Sequence, residues 1–168
     1  MMERAPAPGG LALIEALVNS LHIETRVDSL DTPTGRAALG LAEGEVPAAR
    51  ELREALRVAC LAHAGHPPHG TTTPLADLLA EAPLVVTVDD RGAAGLRPAA
   101  PDRLVSRVAE AIATASADGS WARLKACQAP DCHWAYYDRS PGGRSRWCSM
   151  SVCGARAKMR TYRARRNP

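Results

Sequence analysis

The chain contains no phenylalanine, and only three tryptophans and three tyrosines in 168 residues. None of these six rings lies in the first 120 residues; the first is Trp121. A core in that part must therefore be built from Leu, Val, Ile and Ala. With 46% apolar residues, one modest domain plus a small appendage is feasible. Lysine is nearly absent, since every basic residue but Lys125 and Lys158 is arginine. Beside so much alanine, this is the bias of a GC-rich genome and not by itself a sign of phosphate binding. No apolar run approaches the ~20 residues of a membrane-spanning helix. The stretch LALIEALV (11–18) is interrupted by Glu15, lacks a small-residue cleavage site and reads as an amphipathic helix rather than a signal segment. A cytoplasmic protein is expected, and in that reducing compartment paired cysteines are more often metal ligands than disulfides. There is no glycine-rich phosphate loop, no nucleophile elbow and no Ser/His/Asp arrangement, so no enzymatic activity is expected.

Acidic residues are scarce in the last third. The net charge of +3 divides into −6 over residues 1–120 and +9 over 121–168, where Asp131 and Asp138 are the only carboxylates. A short basic end on an acidic body suggests that the end meets a polyanion.

The expected fold class is α+β: a mostly helical N-terminal domain (1–120) with a small β-hairpin, followed by a four-cysteine finger (121–168). Leu11 to Leu21 has apolar residues at helical spacing. Asp31 or Thr32 caps a short helix with Pro33 in its first turn. Pro47 opens the longest helix, ending at Gly65, with Leu52, Leu56 and Leu61 inward and Arg50, Arg53, Glu54 and Arg57 outward. Thr73 caps another short helix. LVVTVDD (84–90) reads as a strand that turns at RGAAG and returns through GLRPAA. A last helix runs from Pro101 to the Asp118-Gly119 stop, with Leu104, Val108 and Ile112 inward. His63, His66 and His69 read as helix-end and loop residues, Asp89-Asp90 as turn chemistry, and Asn19 and Ser20 as residues that could line a pocket.

Four of the five cysteines form two matching C-x4-C pairs, Cys127/Cys132 and Cys148/Cys153, separated by fifteen residues. A structural zinc ion takes four such ligands in a tetrahedron. Pro130 and Asp131 can turn the first pair into a knuckle. The second pair sits where the chain becomes helical, so backbone N–H groups there could face the thiolates. Between them, HWAYYDRSPGGRSRW reads as strand, turn at 140–143, strand. Knuckle, hairpin and helix together are treble-clef-like. Two disulfides, a redox relay and unlinked core cysteines are the competing readings; the absence of a signal segment and of C-x2-C spacing weighs against the first two. A module of this size has little core of its own, and zinc binding supplies roughly 10–16 kcal/mol of apparent folding energy in comparable peptides. The clustered rings complete a mini-core. Cys60 reads as plain core, and His133 would be a superfluous fifth ligand.

From Ser149 onward, Val152, Ala155, Met159 and Tyr162 form an apolar stripe. Arg156, Arg160 and Arg163 fall within about 60° of one another on a helix and form a ridge beside it. With Lys158, and with Arg144 and Arg146 near the helix start, these are the candidate nucleic-acid contacts.

The segment from Arg123 to Arg166 resembles the bacterial CGNR zinc finger, in the R-x-K-x-C opening, the aromatic-Asp stretch, RWCSM and the CG-x-R-x-K-x-R close. The resemblance implies zinc on Cys127, Cys132, Cys148 and Cys153. It departs at Ala155, where the family has Asn. ALIEALVNSLH followed by DSLDTP is similar to the ABATE domain that accompanies this finger in stress-induced transcription regulators. The expected function is DNA binding in transcription control through a structural Zn2+ finger. The expected partner is double-stranded DNA, with a second copy of the chain and a small-molecule effector of the N-terminal domain as further candidates and no membrane. The alternative is an adaptor for RNA or a protein.

Overall fold

The structure, a computed structural model, describes residues 5–67 and 71–166. The expectation for His69 lies outside the described residues. Helix α1 (Leu11–Val18) buries Leu11, Ile14, Leu17 and Val18, as its spacing requires. Two short strands, β1 (Leu21–His22) and β2 (Val27–Asp28), then pair antiparallel. Asp28 caps the following 3-10 turn through Leu30 N. Thr32, rather than Asp31, caps helix α2 (Pro33–Ala38) by accepting from Gly35 N at 3.0 Å. The long helix α3 (Val46–His63) buries Leu52, Leu56, Cys60 and Leu61, so Cys60 is core.

The outward assignment of Arg53 and Arg57 is corrected, because both are buried. Arg53 pairs with Asp28 at 2.9 Å and donates to Ser20 Oγ at 3.0 Å. Arg57 donates to the carbonyls of Val18 (2.9 Å) and His133 (3.0 Å). Buried guanidinium groups survive only where such acceptors converge. The partners come from distant parts of the chain, which helical periodicity does not report.

Helix α4 (Leu75–Ala80) starts at Pro74 without a side-chain cap; Thr73 instead donates to Glu51. Strands β3 (Leu84–Val88) and β4 (Ala94–Pro98) form the expected hairpin, its turn held by Asp89 Oδ1 accepting from Arg91 N and Ala93 N. Helix α5 (Leu104–Ala117) buries Leu104, Val108 and Ala115 and ends at Gly119, whose φ of 76° suits a residue without a Cβ.

The third sheet differs from the sequence expectation. Strand β6 (Ala135–Tyr137) pairs with β5 (Leu124–Ala126), which precedes the first paired cysteine, and residues 144–147 form no strand. The turn at 140–143 is present, with Gly143 N donating to Ser140 O. Leu124, Ala126 and Ala135 are fully buried in the same cluster as Ile14, Leu56 and Val108. Trp121 and Tyr137 pack against that cluster as well, so these rings join the helical core rather than a separate mini-core. Asn19 is engaged by the finger's first strand pair. Its amide donates to Ala135 O at 3.0 Å and accepts from Ala135 N at 2.7 Å, acting as a third strand for one residue. His63, at the end of α3, donates from Nδ1 to Leu124 O at 2.7 Å and stacks edge-on to Trp121. Burial lowers its pKa, which suits a neutral donor.

Candidate metal centre and basic helix

Strand β5 delivers Cys127 into a tight knuckle. Cys132 N and His133 N both donate to Ala129 O, and His133 closes the turn in the left-handed region at φ 47°. The second pair arrives along the opposite side. Gln128 N donates to Arg146 O at 3.0 Å, which fixes the approach of Trp147 and Cys148. A π-helical turn over Met150–Gly154 then carries Cys153 inward and leads into α6 (Ala155–Arg166). At Gly154, a Cβ would stand 3.1 Å from Met150 Sδ and 3.3 Å from Trp147 Cδ1, so a larger residue there would have to displace these side chains by a few tenths of an ångström.

The four sulfurs converge. Cys148 Sγ lies 3.7 Å from Cys132 Sγ and 3.7 Å from Cys153 Sγ, and all four ligand atoms lie within 4.8 Å of one another. A tetrahedron with metal–sulfur bonds of about 2.3 Å has edges of about 3.8 Å. Cys127 and Cys153 are buried, and Trp147 packs against their cluster. Among the described residues no other group of three or more His, Cys, Asp or Glu could hold an ion. The chain thus carries a four-cysteine metal-binding site.

The electrostatics of the site favour a cation. Cys127 has its pKa lowered by hydrogen bonding from Cys132 and Cys148 and by the N–H groups of Cys148 and Ala129. Cys132 and Cys148 are pushed up by that same neighbour, and Cys153 by burial and by the Cys127 charge. One thiolate is welcome in this space and four are not, unless a positive ion sits among them. The N–H groups that face Cys127 belong to the knuckle and to Cys148 itself, not to the free end of α6.

A buried pair supports the site from behind. Lys125 Nζ meets Asp138 Oδ2 at 3.0 Å and also donates to Gly143 O. Asp138 further accepts from Ser140 N at 3.0 Å and Ser145 N at 2.9 Å. Neither residue stood out as a site residue from sequence, although both belong to the motif.

Helix α6 is more exposed than its stripe predicts. No residue of the helix is buried; Met159 is 50% and Tyr162 54% exposed, and Val152 in the turn before it is also exposed. The stripe, which a helical pattern of this kind would place against a core, is therefore an open face. A shallow hollow joins Val152, Ala155 and Met159 to Arg156, Arg160 and Arg163, so ridge and stripe share one surface. Ala155, where the motif departs from Asn, lies exposed in this hollow at the first position of α6.

The basic candidates are not equivalent. Arg156 pairs with Asp131 at 3.2 Å and Glu24 at 3.6 Å. Arg146 donates to Gln128 Oε1 at 2.6 Å and lies over the Trp147 ring. Arg144 folds back over Gly142. The side chains of Lys158, Arg160, Arg163 and Arg165 have no ion pair or hydrogen bond among the described residues.

Residues 123–166 match the family profile of the CGNR zinc finger. The match covers both cysteine pairs and α6, and none of the preceding helices. A search of curated proteins finds no match to the chain. No helix of the described residues is long and apolar enough to cross a membrane.

Proposed function

We propose that the chain is a DNA-binding transcription regulator whose finger is held by one structural Zn2+ and whose contact element is α6. Cys127, Cys132, Cys148 and Cys153 would hold the ion. Zinc supplies a fixed tetrahedral crosslink, and four protein thiolates leave no open position for a reacting water, so the metal's role is structural rather than catalytic. The observation that carries the reading is that the side chains of Lys158, Arg160, Arg163 and Arg165 have no ion pair or hydrogen bond among the described residues, on a helix of which no residue is buried. At 1.5 Å per residue such a helix is about 18 Å long, and a major groove about 12 Å wide admits it. The similarity of the opening segment to the ABATE domain supports a regulatory role for the helical part, as ligand sensor or subunit-pairing unit in a cytoplasmic regulator.

The test is anisotropy titration of a labelled random duplex by the zinc-loaded chain across a salt series. Affinity is expected to fall steeply with salt, with a log–log slope of about −0.9 per phosphate contact. The variant R160A/R163A is expected to keep its zinc and fold, bind at least tenfold more weakly and show a slope shallower by one to two contacts on the same scale. Indifference of the wild-type chain to duplex at low salt would retire the reading. A second reading has its own support. The exposed Met159 and Tyr162 beside the arginines fit an adaptor that stacks on RNA bases or docks a protein, and preference for single-stranded RNA in the same titration would favour it.

A further inference from the structure

The β3–β4 hairpin stands on the helical part with one long edge open. Val86 is 70% exposed and Val88 65%. The pairing register shows where its backbone points. Asp89 N donates to Ala93 O and Ala99 N to Pro83 O, which places the hydrogen-bonded pairs at odd-numbered residues of β3. In an antiparallel ladder these alternate with pairs whose N–H and C=O groups face away. Leu84, Val86 and Val88 are the outward ones. Their partners across the ladder include Pro98, which has no N–H to lose at such a position. No hydrogen bond to these outward groups from outside the hairpin is present among the described residues.

The two edges are not alike. Strand β4 carries Gly95, Arg97 and Pro98, residues that discourage pairing. Strand β3, LVVTV, carries none: no charge, no proline, no bulge. Soluble proteins rarely leave an apolar edge strand of this kind undefended.

We propose that β3 pairs antiparallel with β3 of a second copy of this chain across a two-fold axis at Val86, giving a four-stranded sheet. The geometry selects this occupant. Val86 is both the midpoint of β3 and an outward-facing residue, so a two-fold there creates a hydrogen-bonded pair of Val86 with itself. Two further pairs follow, Leu84 with Val88 of the second copy and the reverse. Together they satisfy every outward N–H and C=O of both strands, about six bonds in all. Charges agree as well. In this register the acidic tip, Asp89 and Asp90, falls level with the uncharged Pro83 and Ala82 of the second copy, and Arg91 comes level with the exposed Glu81. An isologous contact of this type closes at two subunits. The tip also argues against the hairpin as a DNA-binding arm, since its two carboxylates would meet phosphate.

The inference is independent of the finger reading, and its test does not involve nucleic acid. Sedimentation velocity of the full zinc-loaded chain over 1–100 µM gives the oligomeric state, and amide exchange gives the surface. The wild-type chain is expected to form a dimer, with the amides of Leu84, Val86 and Val88 protected. Val86→Lys places two ammonium groups opposite each other across the axis, and is expected to raise the dimer dissociation constant at least tenfold and release that protection. Val86→Thr keeps a β-branched residue and is expected to remain dimeric. Because Val86 is exposed, neither change should disturb the fold, and circular dichroism verifies this. As a second probe, Val86→Pro removes the outward N–H and leaves every N–H used within the hairpin in place, as proline is tolerated on an edge strand, and it is expected to act as the lysine variant does. A wild-type monomer throughout the range would overturn the proposal, as would a dimer that survives both Val86→Lys and Val86→Pro.

Discussion

Cys148→Ser is expected to remove stoichiometric metal from the chain and to release the knuckle and α6 while leaving the helical core folded. Cys148 links both halves of the site. Its sulfur lies 3.7 Å from two of the others, and its N–H faces Cys127 Sγ. Loss of an outer-sphere partner commonly costs 10- to 100-fold in metal affinity, so loss of this ligand should cost on the order of 100-fold or more. An isolated finger of this size would then unfold entirely. Here β5 and β6 belong to the main core, and β6 is further tied by Asn19 while Arg57 holds His133 O just before it. Disorder should therefore stop at the strands. Metal content measured under reductant should fall from one ion per chain to a small fraction. Amide exchange should quicken at 127–132 and 148–160 but not in α3 or α5. Chelation of the wild-type chain should reproduce the pattern. So should acidification, because the ligands bind as thiolates and each proton taken up competes with the ion. A variant that retained a full equivalent of metal, with unchanged exchange over the knuckle, would remove Cys148 from the site.

Much of this arrangement is legible in the sequence, for reasons of range. The C-x4-C pairs, the Thr32 cap and the stops at Gly65 and Gly119 are local signals, read over a few residues. The stripes of α3 and α5 are equally local. What sequence misassigns is non-local. Arg53 and Arg57 look solvent-facing because periodicity allots charge to the outside, yet Asp28, Ser20 and the carbonyls of Val18 and His133 meet them in the interior. Residues 135–137 and 144–147 look like a hairpin because a good turn lies between them. Strand β6 pairs instead with Leu124–Ala126, whose side chains close the helical core, and burying Leu124, Ala126 and Ala135 against α3 outweighs a two-stranded ribbon in water. The stripe of α6 is a genuine helical pattern that stays uncovered among the described residues, with Met159 50% and Tyr162 54% exposed. The same periodicity that reports a buried face in α3 reports an open one in α6, and it is the position of the neighbours, not the pattern, that separates them.

The other large effect is expected at Lys125, which touches neither the sulfurs nor the basic face. Its ammonium neutralises Asp138, whose side chain is almost wholly buried. Burial alone would raise the Asp138 pKa, but bonds from Ser140, Lys125 and Ser145 outweigh it and hold the carboxyl well below the usual carboxylate range. Lys125→Met leaves that carboxylate buried without its counter-ion, a change that typically costs about 3–5 kcal/mol. Urea unfolding at fixed zinc excess should register the loss, and a midpoint equal to the wild type would show that the pair contributes nothing. The sign of the pH effect follows from the depressed value. The stabilisation is complete above the ordinary carboxylate pKa of about 3.9 and is lost as pH falls towards the folded-state value. An Asp138→Asn variant should therefore be less stable at neutral pH yet lose less stability on acidification. Combining it with Lys125→Met should cost less than the two changes added, since each alone strands a polar partner. The consequence reaches the metal. Asp138 fixes Ser145 N, the next residue gives its carbonyl to Gln128 N, and Gln128 adjoins Cys127. Through these bonds the pair sets how closely the Cys148 limb approaches the knuckle. Lys125→Met should thus weaken zinc affinity even in the molecules that remain folded, and competition with a chromophoric chelator at low denaturant-free protein concentration would measure that part separately from the loss of fold.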